Sequence, residues 1–71
     1  MQRYLIIIEA TPTGYSSYSP DLPGCVAAGE SRAAVERAMR EAIELHLEGL
    51  RDAGLPIPVG GTSATYVEVA A

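Results

Sequence analysis

The chain has 71 residues, 48% of them hydrophobic, and nine acidic side chains against five basic ones leave a formal charge of -4. One cysteine and one histidine supply neither an internal disulfide nor a convincing zinc site, so the fold must close by hydrophobic burial. A domain of this size buries only about 60% of the surface its unfolded chain exposes, which favours self-association or a partner.

Charge narrows the choice of partner. The sequence has no lysine, and its basic residues are Arg3, Arg32, Arg37, Arg40 and Arg51. Four of these arginines lie in or beside one predicted helix, among Glu36, Glu41, Glu44, Glu48 and Asp52. Any cationic stripe is thereby cancelled, so autonomous nucleic-acid binding is not expected and a basic protein partner fits better. No run approaches the roughly 20 apolar residues of a membrane span, and Tyr4 to Ile8 is shorter than a secretory signal core. The expectation is one cytoplasmic domain over residues 1–71, without membrane attachment.

Arg3 to Glu9 reads R-Y-L-I-I-I-E, a β-branched run that predicts a strand. Side chains alternate along a strand, so Leu5 and Ile7 fall on one face and Tyr4, Ile6 and Ile8 on the other. Two apolar faces predict a central strand, covered on both sides. Tyr15 to Ser19 predicts a weaker second strand, joined to the first by a loop longer than a two-residue turn. In S-P-D-L-P-G-C, two prolines and a glycine exclude helix and central strand, leaving Pro20 to Gly24 as a stiff, shaped loop. Cys25 to Ala28 follows as a short third strand, ended by Gly29.

Ser31 is placed as a helix N-cap, with Ala34 where a capping box would carry Glu or Gln. The helix runs to about Ala53, its apolar stripe formed by Val35, Ala38, Met39, Ala42, Ile43, His46, Leu50 and Ala53. Gly54 suits a left-handed C′ position and Pro56 prevents continuation. Beyond the Gly60-Gly61 turn, Thr65 to Val69 alternates as a last strand.

The order β-β-β-α-β predicts a two-layer α/β (α+β) fold with one helix packed on one face. A right-handed crossover would place strand four beside strand one, giving sheet order 3-2-1-4. The face left bare, assigned to Tyr4, Ile6 and Ile8, then predicts an oligomer interface and a homodimer or higher oligomer.

Candidate chemistry is sparse. His46 lies within the helix's apolar stripe, where a packed histidine is favoured over a catalytic one. Cys25 has no histidine placed by sequence to activate it, so a small buried strand residue is favoured over a nucleophile. Tyr15 and Tyr18 suit an aromatic protein-contact surface better than base stacking, because no basic flank accompanies them. No cofactor, metal ligand or catalytic residue is expected.

Gly14-Tyr15, Pro20-Asp21-Leu22-Pro23-Gly24-Cys25, Gly29-x-Ser31, an alanine-rich helix with Glu41-Ala42-Ile43 and Leu47, and Gly54-Leu55-Pro56-Ile57-Pro58 follow one another in this sequence. Loop, helix cap and G-L-P-I-P exit in that order and spacing resemble the HicB-like antitoxins, over nearly the whole chain. The resemblance implies a partial RNase H-like fold and a small basic mRNA interferase of the HicA type as partner. It further implies neutralisation by covering the toxin's catalytic histidine or its RNA path. Longer family members read DNA through a C-terminal segment; this sequence stops two residues after its last predicted strand, so operator binding by the chain alone is not expected.

An RNase H-like nuclease needs several carboxylates around divalent metal, and only Glu9 stands near a suitable place, which argues against an enzyme. The partner contact is assigned to Tyr15, Tyr18, Pro20, Asp21 and Leu22. A reading of another class is a stand-alone scaffold or sensor that binds a different protein or a small ligand, with no toxin.

Overall fold

The computed structural model describes residues 2–71. Its elements are β1 (Ile7–Thr11), β2 (Gly14–Tyr18), β3 (Val26–Gly29) and α1 (Arg32–Asp52). They form an α+β unit of two layers, a three-stranded sheet of order β1-β2-β3 with antiparallel pairing throughout and one helix against it.

Two expectations about the sheet need correction. Thr11 pairs with Gly14, so β1 and β2 are joined by a tight turn at Pro12 and Thr13 rather than a longer loop. The turn is short because the strand predicted over Arg3 to Glu9 is displaced: β2 ends at Tyr18, opposite Ile7, which leaves residues 3–6 in no strand, while pairing runs on through the exposed Ala10 and Thr11. More consequentially, no fourth strand joins the sheet among the described residues, so the order is 1-2-3 and not 3-2-1-4. β1 is therefore an edge strand, not an interior one. Residues 61–71 are exposed throughout and belong to no element. Alternation in Thr65 to Val69 records fitness to be a strand, but a strand exists only against a partner, and this chain brings none to it.

The core lies between sheet and helix. Leu22, Cys25, Met39 and Leu47 form its buried cluster, with Tyr4, Ile6, Ala27, Ala42, Ile43, Leu50 and Ile57 packed against it, and Val35 is fully buried as well. The helix thus buries Val35, Met39 and Leu47, the last of which the expected stripe left out. His46 is only half-buried, and Ala53 is the exposed C-cap. Both helix ends follow local rules. The Ser31 side chain accepts a hydrogen bond from the Ala34 N–H at 3.1 Å, satisfying one of the free donors of the first turn. At the other end Gly54 sits at φ 69°, its N–H donates to the Arg51 carbonyl, and the Leu55 N–H donates to that of Leu50. This is a Schellman motif, which only a residue tolerant of the left-handed region can close.

The face of β1 turned toward the helix is set by these contacts. Tyr4 and Ile6 pack on the core cluster, and Ile8 stands opposite Ser17, which is 3% exposed. The three residues expected on the uncovered face are thus on the helix side. The Ser17 hydroxyl is buried there without a hydrogen-bond partner. An unsatisfied buried hydroxyl costs about 1–3 kcal/mol. Ser17→Ala is therefore expected to raise stability by up to about 1 kcal/mol, read as a higher urea midpoint at unchanged slope. A drop of similar size would mean that the hydroxyl is satisfied in solution.

Candidate protein-binding surface

Three features of the surface can engage another molecule: the uncovered face of the sheet, a groove flanking the stretch before β1, and the exposed tail.

The uncovered face carries a row of apolar side chains fixed by register, since Ile7 pairs with Tyr18 and Tyr18 with Val26. Tyr18 is 43% exposed and Val26 65%. Tyr15 belongs to the opposite face, because it is two residues from the inward-facing Ser17. The two tyrosines therefore do not form one aromatic surface.

The loop from Ser19 to Cys25 is knitted by its own backbone. Leu22 N–H donates to the Ser19 carbonyl, Cys25 N–H to that of Leu22, and Ser19 N–H to that of Cys25. This folding drives the Leu22 side chain inward until it is wholly buried, at 0% exposure. Leu22 is consequently a core residue and not available for partner contact. The sequence could not reveal this, because a lone leucine between prolines has no periodicity to assign it a face. Pro20 stays exposed. Asp21, half-buried, is engaged within the chain: its carboxylate accepts from the Thr62 N–H at 3.1 Å and from the Thr62 hydroxyl at 2.6 Å. The Ser19 hydroxyl donates to the Leu5 carbonyl at 2.9 Å, tying the loop to the residues before β1.

The second feature is a groove of about 530 Å³ lined in part by Tyr4, Ile6, Ile43 and Leu47, with Arg40 and Glu44 at its rim. It runs between the helix and the unpaired stretch that leads into β1.

Chemistry is muted elsewhere. Cys25 is 4% exposed, and burial raises its thiol above the ordinary pKa, which disfavours the reactive thiolate. Among the described residues no group of three or more His, Cys, Asp or Glu side chains is placed to hold a metal ion. No described helix is long and apolar enough to cross a membrane. Glu36, Glu41, Glu44 and Glu48 are exposed on the helix, interspersed with Arg37, Arg40 and Arg51.

A three-stranded sheet backed by one helix, with an apolar row exposed across its open face and its thiol sequestered, has the character of a small protein-binding module. Its relatives give the family. A sequence model described as "HicB_like antitoxin of bacterial toxin-antitoxin system" matches residues 4–70, and the chain belongs to that family. Among solved structures, a chain of a "HicA3 and HicB3 toxin-antitoxin complex" superposes with a TM-score of 0.68 and 38% identity, over 78% of this chain and 64% of that one. A protein of Haemophilus phage HP1 (strain HP1c1), described as an "Uncharacterized 14.9 kDa protein in rep-hol intergenic region", is 33% identical over 64 residues. Those residues are 90% of this chain and 48% of the phage protein, so the chain spans about half the length of that relative. Family membership points to a binding role rather than a catalytic one.

Proposed function

We propose that this chain binds a small basic mRNA interferase of the HicA type and neutralises it by covering the RNA-cleaving site. The observation that carries this reading is the 38% identity, at a TM-score of 0.68, to a chain of a complex between HicA3 and HicB3. Charge supports it. A net charge of -4 would speed association with a basic ribonuclease and repel the RNA that competes for the same surface. Contact is assigned to the uncovered face around Tyr18, with Pro20 at its end, because both are exposed and a rigid sheet presents them. Neutralisation on this reading is steric and demands no chemistry of the chain, and it takes place in the cytoplasm, where the message is cleaved.

Co-expression tests the proposal. On this reading the adjacent reading frame encodes a small basic protein, which is expected to arrest growth alone and to be silenced when this chain is produced with it, the two co-eluting from a sizing column. Persistent arrest together with separate elution would reject neutralisation. Tyr18→Asp, which places a charge in the apolar row, is expected to weaken the complex by about tenfold or more, as loss of an aromatic contact of 1.4 kcal/mol or above would.

A further inference from the structure

We propose that residues 63–71 form a strand on a second copy of this chain, pairing along its free β1 edge, so that two copies exchange tails about a two-fold axis.

The tail has the composition of a strand and the exposure of a segment whose partner lies elsewhere. Val67 is 78% exposed, Val69 77% and Tyr66 fully exposed. Apolar side chains and backbone amides presented together in an extended segment are a template for pairing. The edge of β1 is the complementary defect: β2 occupies one side of it, and no described strand occupies the other. At roughly 3.3 Å per residue the tail spans about 30 Å, the length of the stretch from Arg3 through Thr11.

The origin of the tail, residues 58–62, is anchored to the start of the chain and to the loop after β2. The Tyr4 hydroxyl donates to the Pro58 carbonyl, and Gly60 lies so close to Arg3 that a Cβ there would come 1.7 Å from the Arg3 carbonyl oxygen. Thr62 is then bound twice by Asp21, in the loop that leaves β2, and β2 is on the other side of β1 from the open edge. Beyond that anchor residues 63–71 are exposed and belong to no element, and a gap lined by Leu5, Ile6, Thr62 and Ala64 separates the tail's origin from the stretch before β1.

The groove beside that edge fits the arriving strand. Side chains alternate, so one set would enter the groove against Ile43 and Leu47, and the other would join Ile7 on the uncovered face. Tyr4 and Ile6 thereby serve self-association from the groove wall rather than from an open face. Each copy offers one tail and one edge, so reciprocal exchange satisfies both and closes the assembly without leaving an unpaired strand.

Light scattering and amide hydrogen exchange on the wild-type chain and on a chain carrying both Tyr66→Pro and Val67→Pro test this. The added tail would be an edge strand, where proline is tolerated only if the lost N–H faces solvent; neighbouring N–H groups face opposite sides, so the pair must remove a ladder donor. Both residues are exposed in the single chain, so the variant is expected to keep its helix and a protected Cys25. The wild type should scatter at twice the chain mass at about 10 μM, with exchange at Tyr66 to Val69 slowed by about tenfold or more. The proline variant should scatter as a single chain, with the remaining amides of that stretch exchanging freely. A monomeric wild type, or a proline variant that folds and remains dimeric, overturns the proposal. Slowed exchange in a monomer would mean that the tail folds back on its own β1, which overturns it equally.

Discussion

Leu22→Ala is expected to cost about 2–5 kcal/mol, the range for emptying a buried leucine site. Leu22 has no exposed surface and belongs to a cluster with Cys25, Met39 and Leu47. Whether the site can collapse determines where in that range the cost falls, and here collapse is opposed. The Leu22 backbone is fixed by hydrogen bonds to Ser19 and from Cys25, and two prolines stiffen the same loop. A small domain holds about 5 kcal/mol in total, so the variant should melt more than about 10 °C below the wild type or fail to fold. Thermal unfolding followed by helical circular dichroism measures this, and reaction of Cys25 with a thiol reagent reports the same opening. Pro20→Ala, exposed two residues away, should leave the melting temperature within a few degrees. A folded, thermally unchanged Leu22→Ala that lost toxin binding would return Leu22 to the contact surface and contradict its burial.

Gly60→Ala should destabilise the chain by about 1–3 kcal/mol while Gly61→Ala is nearly silent. The difference is positional. A Cβ at Gly60 would stand 1.7 Å from the Arg3 carbonyl oxygen, 2.9 Å from the Arg3 carbonyl carbon and 3.3 Å from the Tyr4 ring. Backbone cannot swing aside as a side-chain end can, so the passage from Pro58 to Thr62 must lift away from residues 3–5. Lifting it strains the Tyr4 bond to Pro58 and the paired bonds of Thr62 to Asp21. At Gly61 an added Cβ meets nothing within 4 Å. Urea titrations of the two variants at equal chain concentration should separate their midpoints, with Gly61→Ala within about 0.5 kcal/mol of the wild type. Concentration must be matched because any self-association adds to apparent stability. Equal midpoints would mean that the tail's origin is not clamped to the start of the chain.

Local signals in this chain were reliable where the physics is local. Ser31 caps the helix because its side-chain oxygen reaches an amide three residues on, and Gly54 ends it because its φ of 69° is open to glycine. Both need only neighbouring residues. The family resemblance was legible for a related reason: the P-D-L-P-G-C loop and G-L-P-I-P exit are short strings whose spacing survives in linear form. The candidate contact surface was legible only in part. Of its five residues, Tyr18 and Pro20 remain exposed, Tyr15 turns toward the helix side, Asp21 is engaged by Thr62, and Leu22 is buried.

By itself, then, the sequence determined the order of the first three of its four predicted strands and of the helix, the helix ends, an acidic composition and the family. Tertiary structure alone decided which face of β1 meets the helix, because alternation with period two defines two faces and is indifferent to which is covered. It alone buried Leu22, through backbone bonds within a loop that has no period. It alone withheld the last strand from the sheet. The clamp of Thr62 on Asp21 joins residues 41 positions apart, and contacts across such distances arise only once the intervening helix has packed and set where the chain emerges.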